Sequence, residues 1–310
     1  MKKILAWLAA VLVAAPLAAQ INTVQEVAPG VYFHEGDPRR GHSNNGWVVF
    51  EDYVLLVDAN YPSGAQIVMP KIKQTTDKPV RFAFDTHHHA DHAYGNQLWV
   101  DAGAVPVAHV GVLEEMKKVE TGYFGGPPGR WEESAKKRPD VAATKLKPPS
   151  VLFPRELFID DGQRRVELRH FGVAHTHGDA VAWLPREKIL FTGDVCVNGP
   201  HNNINDGDTG EWIKTLEALK ALGAEKVCPG HGPIGGPEVI ADQQRYLIEL
   251  RRAVKARLEA RQAPEQIKAG LETMAAELKK IPGAGRYVPG SLFAHVQKVC
   301  AEFGAPPLPR

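Results

Sequence analysis

Thr86-His87-His88-His89-Ala90-Asp91-His92 places four imidazoles and a carboxylate within six consecutive positions. So dense a run of metal-preferring side chains marks a metal site. It follows Pro79-Val80-Arg81-Phe82-Ala83-Phe84, an apolar run that reads as a buried strand, and it precedes Ala93-Tyr94-Gly95-Asn96, where a short helix can start. Groups on the loop that leaves a strand's C-terminal end stand where α/β sheets place their chemistry.

Three further candidates lie downstream, each at a strand-to-loop transition. His175 sits in Gly172-Val173-Ala174-His175-Thr176-His177-Gly178-Asp179, Asp194 in Leu190-Phe191-Thr192-Gly193-Asp194, and His231 in Cys228-Pro229-Gly230-His231-Gly232-Pro233. The glycines let the backbone turn sharply enough for groups from separate strands to converge. His87 and His89 alternate toward one side and, with His175, supply three nitrogens. Asp91, His92 and His231 supply a second trio, and Asp194 can offer one oxygen to each of two ions. Three protein ligands per ion leave room for water, as catalytic rather than structural zinc requires. Two ions about 3.5–4 Å apart can deprotonate a bridging water and polarise a carbonyl, so no serine or cysteine nucleophile is needed. Two zinc ions are the expected cofactor, with iron or manganese as the other ions such donors take.

Along the chain, residues 30–34, 46–50 and 53–57 read as closely spaced strands of an antiparallel sheet. A helix over 62–76, the strand at 79–85 and another at 103–109 complete a β-α-β unit. Residues 120–150 break this rhythm with Gly125-Gly126-Pro127-Pro128-Gly129 and a mixed-charge run from Trp131 to Asp140. A polar insertion of this length reads as a lid, a binding loop or a solvent-exposed excursion, and Tyr123, Phe124 and Trp131 could line a pocket. Strands resume at 156–160, 164–171, 180–184 and 188–192, followed by a helix over 211–222 and a strand at 226–228. The pattern predicts two packed sheets with helices outside. From residue 237 onward it is helical: 239–262, 264–280 and 291–303 carry apolar stripes that cover the core or form an oligomer contact.

Composition narrows the function classes. The chain has 310 residues, 37 Lys and Arg against 36 Asp and Glu, and 44% hydrophobic content. This near-neutral balance argues against nucleic acid or an anionic membrane as the main partner and leaves a small-molecule substrate. Lys2 and Lys3, the apolar run from Ile4 to Ala15, and the small residues around Ala18 and Ala19 read as a secretory leader over 1–19. A periplasmic protein is expected, free of the membrane after cleavage. Cys196, Cys228 and Cys300 lack zinc-ribbon spacing and read chiefly as buried apolar residues, although one pair could bridge in an oxidising compartment.

His87-x-His89-x-Asp91-His92, then His175, Asp194 and His231 in that order, resemble the metallo-β-lactamase superfamily over about residues 21–235. Asp58, closing Leu55-Leu56-Val57-Asp58, matches that superfamily's first motif. The resemblance implies an αββα sandwich, α/β in class, with metals at one edge between the sheets. Asp58 is then a support behind the ligands. The implied domains are the leader 1–19, a catalytic domain 20–235 with the insertion 120–150, and a helical extension 236–310. The implied activity is an exported dinuclear zinc hydrolase that opens an ester, thioester, lactone or lactam through a metal-bridging hydroxide. Its rivals are a β-lactamase proper and a mononuclear iron dioxygenase of the same fold.

Zinc β-lactamases generally lack the aspartate that Asp194 represents, and glyoxalase II-type thioesterases usually have Gly-His where this chain has Gly178-Asp179. The motifs are most similar to exported cyclase-like or quinoprotein-relay hydrolases. Asp91 and His177 are the expected catalytic residues. His177 either orients substrate and protonates the leaving group, or supports the site by a hydrogen bond. His88 should point away from the ligands. Among Asn202, Asn203 and Asn205, one could face the pocket.

Overall fold

The computed structural model describes residues 21–309, so the expected leader lies outside the described residues. Strands β1 (Val24–Ala28), β2 (Val31–His34), β3 (Asn45–Val49) and β4 (Val54–Val57) form an antiparallel meander. Helix α1 (Pro62–Thr75) then carries the chain to β5 (Val80–Asp85), which pairs parallel with β4. The short helices α2 (Ala90–Ala93) and α3 (Asn96–Asp101) lead to β6 (Val105–His109), and α4 (Val110–Val119) follows. The insertion contributes α5 (Arg130–Ala135) and α6 (Pro139–Ala142) before β7 (Val151–Phe153) closes a seven-stranded sheet in sequential order.

The second sheet has five strands. Strands β8 (Glu156–Asp160), β9 (Arg165–Arg169), β10 (Val181–Leu184) and β11 (Ile189–Gly193) run antiparallel, each to the next. Helix α7 (Thr209–Lys220) crosses over to β12 (Lys226–Pro229), which is parallel to β11. The tail forms α8 (Glu238–Glu259), α9 (Pro264–Ala269), α10 (Leu271–Lys279) and α11 (Phe293–Glu302).

Side-chain alternation in the strands makes four layers. Leu55 and Val57 point between the sheets, where they meet Leu168, Ala182, Leu184 and Phe191 from the opposing sheet. Val54 and Leu56 point the other way, against Val68 and Ile72 of α1 and Trp99 of α3. On the far side, Trp183, Leu190 and Val227 pack beneath α7, α8, α10 and α11. Strands covered on both faces read as continuous apolar runs, as β4 and β11 do. This is the expected αββα sandwich. The tail's stripes are spent on it: Tyr246, Leu247, Leu250, Met274, Val296 and Val299 are buried in the outer core.

Two expectations need correction. The insertion is folded: Trp131, Val141 and Leu146 are buried against Tyr94, whereas Tyr123 and Phe124 are exposed and line no described cavity. The helix expected over 264–280 is two helices, which part at Gly270. All three cysteines are free and buried, which agrees with their reading as buried apolar residues and leaves out the alternative of a bridged pair. Strands β1 and β7 and helix α4 are additional elements. Among the described residues, no helix is long and apolar enough to cross a membrane.

The tail also touches the loops behind the site. Glu302 accepts from the Thr209 backbone N–H at 2.9 Å and pairs with Arg251. Gln243 accepts from the Val197 N–H at 2.8 Å. His295, at 4% exposure, pairs its Nδ1 with the Tyr246 hydroxyl at 2.6 Å, and burial holds its pKa down to about 4. The unfolded imidazole titrates near 6.5. As pH falls from about 6.5 to about 4, the unfolded chain therefore takes up a proton that the folded chain refuses, and stability is lost. Urea unfolding should show a lower midpoint at pH 5 than at pH 7. His295→Gln should flatten that slope by on the order of 2 kcal/mol across the window, and an unchanged slope would assign the acid sensitivity elsewhere.

Candidate metal centre

The parallel strands β4 and β5 of one sheet, and β11 and β12 of the other, all end at the same edge of the sandwich. Asp58 follows β4, Thr86 to His92 follow β5, Asp194 follows β11, and His231 follows β12. His175 reaches the same edge from the loop between β9 and β10. Two glycines permit the convergence. A Cβ on Gly193, where φ is +49°, would lie 2.2 Å from Thr86 Oγ1, and one on Gly230 would lie 2.0 Å from Asp194 Oδ1.

The seven expected ligands come together. His87, His89 and His175 offer ring nitrogens within 4.8 Å of one another, and so do the donor atoms of Asp91, His92 and His231. Asp194 sits between the trios: its Oδ1 is 3.4 Å from His92 Nε2, and its Oδ2 is 3.6 Å from His175 Nε2 and 3.5 Å from His231 Nε2. Asp91 Oδ2 lies 3.1 Å from His231 Nε2. All are buried except His89 and Asp91, which are partly exposed toward a cleft.

The far nitrogen of four rings meets an acceptor, which fixes the tautomer. His92 Nδ1 lies 2.8 Å from Asp58 Oδ2, His175 Nδ1 2.8 Å from Asn203 O, and His89 Nε2 2.9 Å from Asp206 Oδ2. His87 Nδ1 lies 3.1 Å from Thr86 Oγ1, which itself donates to Asp58 Oδ1 at 2.8 Å. A neutral imidazole that donates from one nitrogen presents a lone pair at the other. His175 Nε2 and His89 Nδ1 thus face each other as acceptors across 2.8 Å. His87 Nε2, His92 Nε2, His231 Nε2 and Asp194 Oδ1 are buried without a hydrogen-bond partner among the described residues. Lone pairs aimed at one another in a buried space are repulsive unless a cation lies among them. The donor set therefore fits metal ions.

Electrostatics agree. Burial, reinforced by the neighbouring histidines, holds His87 well below its usual pKa, and burial beside His89 takes His175 down to about 4, so both keep lone pairs at neutral pH. Burial also opposes charge on His92, yet Asp58, Asp194 and Asp91 outweigh it and push its pKa up to about 10. Carboxylates dominate that side of the centre and create a well for positive charge.

Asp58 occupies the left-handed region at φ +64°, a conformation that costs a non-glycine residue energy. Its two oxygens accept the Thr86 N–H, the Thr86 hydroxyl and the His92 ring at once, which is the support role expected of it. Asp206 was not foreseen. Its setting, Asn203 to Asp208 with Gly207, reads in sequence as a turn, and only the fold lays it beside His89.

Two expected histidines land differently. His177 is exposed and belongs to neither trio, so the structure does not bring it to the centre. The neighbouring Asp179 turns inward instead and accepts the Thr176 N–H and hydroxyl at 2.7 Å each, which leaves His177 outside. His88 belongs to neither trio, yet it does not point away from every ligand. It is buried beside His89 and Asp206 at the wall of the cleft. That cleft, about 540 Å³, runs from His89 and Asp91 to Arg130, Ser134 and Lys137 of the insertion and to Asn203, Asn205 and Asp206.

The family model described as "Metallo-beta-lactamase superfamily" matches residues 38–231, and the chain belongs to that superfamily. It is 36% identical over 107 residues to a metallo-beta-lactamase type 2 of Bacteroides fragilis, a stretch that covers 33% of this chain and 43% of that one. It is 34% identical over 79 residues to a metallo-beta-lactamase type 2 of Bacillus cereus, covering 24% and 31%. The matched stretches thus span less than half the length of these relatives. The fold superposes on a metallo-beta-lactamase from Pontibacter korlensis with a TM-score of 0.59 at 21% identity, covering 73% of this chain and 98% of that one.

Asp58→Ala should weaken zinc binding by about 10–100-fold, because it frees His92 and unseats Thr86 behind His87. Competition against a chromogenic chelator measures this, with far-UV circular dichroism as the folding check. Unchanged affinity in a folded variant would remove Asp58 from the support role.

Proposed function

We propose that this chain is an exported, dinuclear zinc-dependent hydrolase that opens an ester, thioester, lactone or lactam bond of a small molecule. One observation carries the reading: two three-donor groups, linked by Asp194, converge at a strand edge beside a cleft of small-molecule size. Two zinc ions there would supply an activated water at neutral pH and polarise the scissile carbonyl. The family's name and the type 2 relatives support hydrolysis and keep a lactam among the candidate substrates. Export is supported by the leader-like residues 1–19.

The residues divide the remaining work. His87, His89 and His175 would hold one ion, Asp91, His92 and His231 the other, and Asp194 both. Asp58, Asp206, Thr86 and the Asn203 carbonyl lock the rings so that no reorganisation is needed when substrate arrives. Asp91 both contacts His231 and lines the cleft. Its carboxylate is therefore the group placed to take a proton from the attacking water and return it to the leaving group.

The test is hydrolysis of a β-lactam, a glutathione thioester and a lactone by the zinc-loaded protein, alongside Asp91→Ala. Turnover of one class is expected, lowered by a factor on the order of 10²–10⁴ in the variant. Metal analysis should find two zinc ions per chain. A single iron per chain, with oxygen uptake in place of hydrolysis, would overturn the proposal.

A further inference from the structure

The wall of the cleft that faces the histidine cluster is one face of the inserted helix. Arg130, Glu133, Ser134 and Lys137 all line the cavity, and their spacing of three, four and seven residues places them on a common stripe. Helical hydrogen bonding continues past α5, from Lys136 N to Glu132 O and from Arg138 N to Ser134 O. The opposite face is anchored by Trp131, which is buried on Tyr94 with ring centroids 4.6 Å apart. The stripe is thereby held toward the centre.

The acids of this wall are already satisfied. Glu120 takes the Tyr94 hydroxyl at 2.5 Å on one oxygen and the Trp131 N–H at 2.6 Å on the other. Glu133 pairs with Lys136 at 2.5 Å, and Asp206 takes both His89 and Arg130. The cations retain capacity. Arg130 commits one nitrogen, to Asp206 at 3.2 Å, and the Lys137 ammonium, one turn from Glu133 and drawn toward its charge, makes no hydrogen bond or close ion pair among the described residues. His88, only 2% exposed, lines the same cavity with neither ring nitrogen hydrogen-bonded among the described residues. Buried polar atoms of this kind are costly unless a ligand engages them.

We propose that Arg130 and Lys137, with the His88 ring as a further polar partner, form a subsite for a carboxylate on the substrate, which makes this a hydrolase of anionic carbonyl compounds. The inference rests on the hydrolase reading for its chemistry, but the subsite is defined by the insertion. A guanidinium fork suits a planar carboxylate, and long side chains on one helical stripe converge on one such group. The scissile bond then lies toward His89 and Asp91, which line the same cavity.

The zinc-loaded full-length protein is assayed with two esters, 4-nitrophenyl hydrogen glutarate and the matching glutaramate, which differ by carboxylate against amide. The wild type should favour the carboxylate ester in kcat/KM by about tenfold or more, the worth of one charge-assisted contact. Lys137→Gln and Arg130→Gln should each remove most of that preference, chiefly through KM, and Lys117→Gln, at an exposed lysine of α4 outside the cavity, should preserve it. Because Arg130 also braces Asp206, Lys137 is the cleaner probe. Equal preference in the wild type and Lys137→Gln would overturn the proposal. If neither ester is turned over, the ester branch of the hydrolase reading fails, and calorimetric titration with glutarate and glutaramide decides the subsite by itself. Weaker glutarate binding by about tenfold in Lys137→Gln, but not in Lys117→Gln, upholds it. Identical binding in all three proteins overturns it.

Discussion

Asp58, Asp194, His87, His92, His175 and His231 are buried together at one edge of a β-sandwich, and that burial is the constraint the rest of the molecule answers to. Taken from water without compensation, such groups would destabilise the fold by several kcal/mol each. Compensation comes from two directions. Behind the rings, carboxylates, a hydroxyl and a backbone carbonyl occupy the outward nitrogens. In front, lone pairs are left that only cations satisfy. The strained turn at Asp58 and the glycines at 193 and 230 are tolerated because they bring these groups within reach of one another.

Much of this was legible in the sequence, for identifiable reasons. The histidine run, Asp194 and His231 each follow a largely buried strand, and His175 the loop after an alternating one, so residue type and position together pointed to one edge. The strands around Leu55, Phe84 and Leu190 announced themselves because apolar residues run without a break through Val54–Val57, Phe82–Phe84 and Ile189–Phe191. What escaped lacked such a signature. Strands β1 and β7 are short edge elements whose backbone pairing, rather than apolar pattern, makes them strands. The insertion looked like an excursion because its composition is polar, while it is pinned by scattered apolar residues, Trp131, Val141 and Leu146, and by polar contacts of Arg138 and Asp140 with distant Arg40 and Ser63. Asp206 and the outward turn of His177 depend on long-range placement, to which local pattern is blind.

The tail extends the same logic beyond the part of the chain that the superfamily model matches. Helices α8 and α11 do more than cover the outer face of the second sheet. Glu302 holds the start of α7 and Gln243 holds Val197, so the segment that carries Asn203 and Asp206 is fastened at both ends. A loop in that position would otherwise be the most mobile part of the site's frame. Orientation of His89 and His175 is thus coupled to helices that lie on the outside of the sandwich.

The insertion, by contrast, is fastened to the core well away from the ligands: Glu120 holds the Tyr94 hydroxyl, Asp140 accepts the Ser63 N–H, Arg138 reaches the Arg40 carbonyl, Lys145 N donates to Gln97, and a small apolar cluster packs beneath it. None of the seven ligands comes from it. The wall that meets the substrate and the centre that performs the chemistry are therefore separable inheritances. Exchange of residues 120–150 would remake a wall of the cleft while leaving all seven ligands in place, provided the hold of Arg130 on Asp206 were kept, so a lineage could change its diet without relearning its chemistry.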